Sequence, residues 1–222
     1  MDIRRETIEG NGFKVPCITL TPATIKGAAV VIHGYGGCKE EQLGLAYRIS
    51  EVGLKTCVID FRGHGEHNLS LDENCILDVE AAIEFCRNFG RVVAIGHSLG
   101  GRLALISSAD YSIGISPAIS PIFGDETQNK LKIMRGYRVK EAYFGKINGA
   151  IEKLPAFNFK DDPQKSIIYA ERDVPEIEHI CSNFKAKNSS VIKIKEAMHN
   201  DIFTLEATFE SVISQVKMYF KD

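Results

Sequence analysis

The chain predicts an α/β fold: one domain of 222 residues built on a mostly parallel, twisted sheet with helices on both faces. Three observations predict it. Short apolar runs alternate with segments of helical periodicity, the mark of repeated βαβ units whose crossovers cover a parallel sheet on both sides. Two strand-like stretches at the N-terminus flank a turn signal and add an antiparallel hairpin. Every loop that carries reactive side chains follows directly on a predicted strand, and parallel α/β sheets form their ligand sites at the carboxyl ends of strands.

In order, residues 3–9 and 14–20 surround Asn11-Gly12 and form the hairpin. The apolar run 28–32 is the first parallel strand, and a glycine loop leads from it to a helix near 40–51. Strand 55–60 precedes a helix near 72–89, in which Ile76, Val79, Ile83 and Cys86 recur at helical spacing and Gly90 suits the C-cap. Strand 91–95 delivers Ser98 to a helix ending near Ser108, and strand 111–115 follows. Between 121 and 163 the simple alternation lapses. It resumes with strand 166–170, a helix near 175–185, strand 190–195 and a last helix at 205–220 with one apolar face of Leu205, Phe209, Val212, Ile213, Val216 and Phe220.

The segment Gly96-His97-Ser98-Leu99-Gly100 has the form of a nucleophile elbow. Such an elbow holds its serine in a strained strand-to-helix turn, with the N–H of the following residue, here Leu99, aimed at an oxyanion. The flanking glycines are required because a Cβ would collide with neighbouring backbone. A serine hydroxyl is a poor nucleophile by itself and needs a base in contact and an acid behind that base. The order serine, acid, histidine is met by Ser98, Asp173 after run 167–170, and His199 after run 190–195. His33-Gly34-Tyr35-Gly36-Gly37 follows the first parallel strand in the same way.

With these residues in view, together with Asp60-Phe61-Arg62-Gly63-His64-Gly65 and Gly101, the chain resembles a serine hydrolase of the α/β-hydrolase superfamily. The small esterases, feruloyl-esterase-like and acyl-peptidase-like members among them, are similar to it. The resemblance implies the α/β-hydrolase fold over residues 1–222, with a small lid insertion at approximately 121–163 that sets substrate choice. It implies an oxyanion hole made by the N–H groups of Tyr35 and Leu99, and a structural role for the loop from Asp60 to Gly65. The expected reaction is hydrolysis of a carboxylic ester through an acyl-serine intermediate, with no cofactor and no metal. Acyl-thioesterase or small peptidase activity through the same residues is the alternative, and a hydrolase-fold binding protein without turnover belongs to a different class.

Each assignment has a plainer counterpart. Ser98 is otherwise a small residue in a βα turn, and His199 one of six histidines on a surface loop. The family usually places Val-Pro two residues after its acid, whereas Val174-Pro175 follows Asp173 at once, so Glu171 is the fallback acid and Asp201 a weaker one. Asp173 also suits an N-cap ahead of a proline-led first turn. His64 and His67 form a lone H-x-x-H without a third ligand of matching placement. In the insertion, Phe123, Tyr137, Tyr143, Phe144, Phe157 and Phe159 offer aromatic surface for an acyl or aryl pocket. Eight basic residues stand against four acidic ones between Asp125 and Lys160, which reads as a solvated helix face or, alternatively, as attraction for an anionic substrate.

Composition narrows the partners. A formal net charge of −2 provides no basic field for nucleic acid, and a small-molecule substrate is expected. No apolar stretch approaches the roughly 18–20 residues of a membrane span, and the start lacks an apolar leader core, so a cytoplasmic location is expected. The six cysteines show no metal spacing and read as reduced, mostly buried thiols. Cys38 draws notice only because it adjoins the glycine loop. Oligomeric state has no signature in the sequence.

Overall fold

A computed structural model describes residues 1–141, 152–158, 162–185 and 190–221. Eight strands form one sheet in the order β1-β2-β4-β3-β5-β6-β7-β8. They are β1 (Asp2–Glu9), β2 (Lys14–Thr21), β3 (Gly27–Ile32), β4 (Leu54–Ile59), β5 (Val92–His97), β6 (Tyr111–Ile115), β7 (Lys165–Arg172) and β8 (Val191–Met198). β1 pairs antiparallel with β2, and β2 with β4. All remaining pairs are parallel.

The six described helices are α1 (Leu43–Glu51), α2 (Cys75–Arg87), α3 (Leu99–Ile106), α4 (Asp125–Arg135), α5 (Pro175–Lys185) and α6 (Glu206–Tyr219). Strand side chains alternate between the two faces, and β3 displays the consequence. Ala28, Val30 and Ile32 pack in one cluster with Val79, Ile83 and Leu103 of α2 and α3. Ala29 and Val31 pack in another with Leu45 and Ile49 of α1 and with Val212 and Val216 of α6. All six residues of β3 are buried, each large aliphatic one contributing about 1.5–3 kcal/mol on burial. A third cluster lies under α5, where Ile177 and Cys181 meet Tyr169 and Leu105.

The expected fold is therefore observed, with shifted boundaries. The helix near 40–51 begins as a 3-10 turn at Lys39–Gln42. The helix expected at 72–89 starts at Cys75, because the Asp72 carboxylate accepts the Asn74 N–H at 2.9 Å and closes a turn first. Strand β8 runs three residues past 195, to Met198, so His199 stands directly at its carboxyl end.

Two buried ion pairs fix the loops at that end of the sheet. The Lys39 ammonium, 1% exposed, donates to Asp60 at 2.6 Å and to Glu66 at 2.8 Å. Arg62 donates to both carboxylate oxygens of Asp78, at 2.9 and 3.0 Å. Such pairs are costly to break, since the partner left behind is a buried uncompensated charge.

Candidate active site

Ser98 sits between β5 and α3 with φ 54° and ψ −116°, a conformation that a non-glycine residue holds only when its surroundings enforce it. They do so through backbone. The Ser98 N–H donates to the Ile115 carbonyl, and the Ser98 carbonyl accepts from Ala118 N–H, each at 2.9 Å. A Cβ on Gly96 would lie 2.1 Å from the Gly100 oxygen, and one on Gly100 would lie 2.3 Å from the His33 oxygen. Neither position admits any other residue, which is why the elbow reads G-x-S-x-G.

The structure brings Ser98, His199 and Asp173 together. His199 Nε2 is 3.0 Å from Ser98 Oγ, and His199 Nδ1 is 2.7 Å from Asp173 Oδ1. With Asp173 as an acceptor, Nδ1 carries the proton and Nε2 is left to accept from the serine hydroxyl. The Asp173 carboxylate is buried and, among the described residues, accepts four hydrogen bonds: from the His199 ring, the Ser116 hydroxyl, Val174 N–H at 2.8 Å and Ala170 N–H at 3.2 Å. Burial alone would raise the pKa of this carboxyl. The hydrogen bond and charge of His199, with the Ser116 and Val174 donors, outweigh that and hold it below the usual value.

The other carboxylates considered from the sequence lie elsewhere. Glu171 accepts the Glu196 N–H at 3.0 Å on the exposed end of β7 and β8. Asp201 accepts the Met198 N–H at 2.8 Å and closes the turn that contains His199.

Two residues of the site have no pattern that reveals them in the sequence. Ser116, at φ 42°, follows β6 as the other candidates follow their strands, and that position was the available signal. His97, the variable residue inside the elbow, donates from Nε2 to the His199 carbonyl at 2.9 Å and stacks obliquely on the His199 and Phe203 rings. Burial, and then the neighbouring His199, push the His97 pKa down to about 3, so it is a neutral donor that positions the His199 loop.

Tyr35 faces Ser98 across the glycine loop, and its hydroxyl donates to Glu141 at 2.6 Å. Burial, followed by that hydrogen bond, raises its pKa. The N–H groups of Tyr35 and Leu99 have no hydrogen-bond partner among the described residues. Leu99 opens α3, where helix N–H groups are unpaired by geometry.

Helix α4, from the irregular segment, lies over Ser98. Below it runs an apolar cleft of about 30 Å³ between Leu99, Ala118, Phe123, Leu131, Val174 and Ile177. A second, polar cleft of about 20 Å³ opens beside it. Of the aromatic set expected there, Phe123 is the member among the described residues that lines the cleft. Tyr137 is 82% exposed, Phe157 packs in the cluster under α5, and Tyr143, Phe144 and Phe159 lie outside the described residues.

His64 Nδ1 lies 3.1 Å from the Arg62 carbonyl, and His67 Nε2 lies 3.5 Å from Asp78. Among the described residues no group of three His, Cys, Asp or Glu side chains is arranged to hold a metal ion. All six cysteines are free, and burial raises the Cys38 thiol. No described helix is long and apolar enough to cross a membrane.

A family model described as the alpha/beta hydrolase family matches residues 29–176, more than half of the chain. This chain belongs to the alpha/beta hydrolase family. Solved structures agree on the architecture of this family member. A Pyrobaculum calidifontis esterase superposes with a TM-score of 0.72 at 18% identity, the match covering 99% of this chain and 85% of that one. Est1E from Butyrivibrio proteoclasticus, solved with ferulic acid bound, gives 0.68 at 18% identity over 95% of this chain and 99% of that one. An alpha-beta serine hydrolase homologue from Coxiella burnetii gives 0.64 at 16% identity over 100% and 99%. No curated protein matches the hydrolase-family chain in sequence.

Proposed function

We propose that this alpha/beta hydrolase cleaves a carboxylic ester through an acyl-serine intermediate, with Ser98 as nucleophile, His199 as base and Asp173 as the orienting acid. The observation that carries the proposal is the unbroken chain of contacts from Ser98 Oγ to His199 Nε2 at 3.0 Å and from His199 Nδ1 to Asp173 at 2.7 Å. Ser98 Oγ attacks the ester carbonyl while its proton passes to His199 Nε2. The charge gained by the imidazole is balanced by Asp173, which its own donors keep ionised. The carbonyl oxygen becomes an alkoxide that accepts from the N–H groups of Tyr35 and Leu99, each such donor typically worth ~10²–10³ in rate. His199 then returns the proton to the departing alcohol, and a water molecule, activated by the same imidazole, releases the acid.

Labelling with a fluorophosphonate, followed by a panel of aryl esters, thioesters and anilides of rising acyl length, tests this. The folded wild-type protein should be labelled and should favour oxygen esters, and the folded Ser98→Ala variant should neither label nor hydrolyse. Labelling that survives in Ser98→Ala rules Ser98 out as the nucleophile.

A further inference from the structure

We infer that the polar cleft beside Ser98 is a leaving-group subsite that selects an alcohol bearing a carboxylate, with Arg135 as its charge partner, an inference that rests on the acyl-serine chemistry proposed above. The two clefts share Tyr35, Ser98, Leu131 and His199, so the reacting carbon lies where they join and the two halves of a substrate extend into one each. Their linings differ in kind. The first is walled chiefly by hydrocarbon from Leu99, Phe123, Val174 and Ile177, with Thr127 and Gln128 at its side, and the second sets Glu41, Gln42, Arg135 and Asn200 beside Phe203. A polar alcohol placed in the first would lose its hydration without compensation, while an aliphatic acyl chain gains there by burial. The second is also the cleft that holds Asn200, the residue next to the imidazole that must hand its proton to the leaving oxygen.

Charge then decides what kind of alcohol fits. Arg135 and Arg138 face one carboxylate, Glu41. Arg138 takes it in a hydrogen bond at 2.7 Å, whereas Arg135 stands 3.6 Å off, beyond hydrogen-bond distance. This cluster carries one positive charge in excess, and the Arg135 guanidinium makes no hydrogen bond among the described residues. Its backbone is seated against the oxyanion loop: a Cβ on Gly36, at φ 67°, would lie 2.5 Å from Arg135 Cβ. The Arg135 charge is felt below the cleft as well, where it adds to the burial that depresses His97. A guanidinium so placed is a fork for a carboxylate.

Acylation rates with 4-nitrophenyl butanoate and with its 3-carboxy counterpart give a ratio in which general effects of a substitution cancel. That ratio should fall about tenfold in Arg135→Gln, as expected for a charged hydrogen bond that is partly exposed. Arg135→Lys should retain part of it, and added salt should reduce it in the wild type. An equal ratio in wild type and Arg135→Gln overturns the inference. So does an Arg135-dependent preference for 4-nitrophenyl hemisuccinate over the butanoate, which would make the cleft an acyl subsite. So also does a protein that the fluorophosphonate labels at Ser98 but that releases nitrophenol from none of these esters. Absence of labelling at Ser98 defeats the acyl-serine chemistry itself, a separate result.

Discussion

The Ser116 hydroxyl donates a hydrogen bond to Asp173 Oδ2, on the oxygen opposite the one that meets His199. The carboxylate is thereby held from both sides, and its orientation toward the imidazole does not depend on the imidazole alone. Ser116→Gly separates this role from simple structure, because φ 42° suits glycine. The variant should fold with little change in Tm while kcat falls about tenfold, with KM nearly unchanged, the effect of losing one hydrogen bond to a charged group. A Ser116→Gly enzyme with wild-type kcat shows that the remaining three donors suffice.

Asp173 and Glu171 are two residues apart and lie in different surroundings. Asp173→Asn should lower kcat by about 10⁴, as amidation of the acid does in a well-studied triad. Glu171→Gln, at a carboxylate whose hydrogen bond among the described residues comes from the Glu196 N–H, should change kcat less than threefold. Steady-state kinetics on both variants decides between the two carboxylates.

The apolar cleft opens beside Ser98 with Leu131 of α4 on its wall. Leu131 lines both clefts and is the side chain most in the way. Leu131→Ala should raise kcat/KM for long acyl esters relative to acetyl by about 10-fold or more, the range a pocket contact of ~1–3 kcal/mol provides. Phe157→Ala should leave that profile as it is, since Phe157 packs under α5. A flat profile in Leu131→Ala places the acyl chain elsewhere.

Burial, ahead of any neighbouring charge, depresses His33 to about 4, and His64 and His97 to about 3. Unfolded histidine titrates near 6.5, so between roughly pH 4 and 6.5 the unfolded chain binds more protons than the folded one. Stability is therefore retained above 6.5 and lost as pH falls below it. Each of the three rings should remove about 1.5 kcal/mol between pH 6.5 and 5, a large share of a margin that is typically about 5–15 kcal/mol. The urea midpoint should drop steeply over that interval. A flat midpoint would mean that these rings take up protons without leaving the fold.

Much of this arrangement is legible in the sequence because a parallel strand buried on both faces must be apolar throughout, as β3 and the body of β5 are. The loops at the strand ends are then located by counting outward, which is how Ser98, Asp173 and His199 become neighbours on paper before they do so in space. Helix α4 escapes that logic. It buries no residue, so no apolar stripe marks it, and the lid expected over 121–163 comes with no helix pattern of its own. Ser116 and His97 escape for a different reason: each acts on a partner that the sheet brings near, and nothing local to their own segments announces the pairing. The Val-Pro that follows Asp173 at once, rather than two residues on, is accommodated without displacing the carboxylate from His199.

Helix α4 covers Ser98 yet contributes no fully buried side chain, Leu131 packing only partly buried against the core, so little of the free energy that holds the sheet together passes through it. Substitutions along its inner face can accumulate, be lost and be regained without bringing the protein near its unfolding threshold. The helix that stands over the serine is thus loosely tied to the core, and a lineage carrying this fold can vary it while the proposed centre of Ser98, His199 and Asp173 stays fixed.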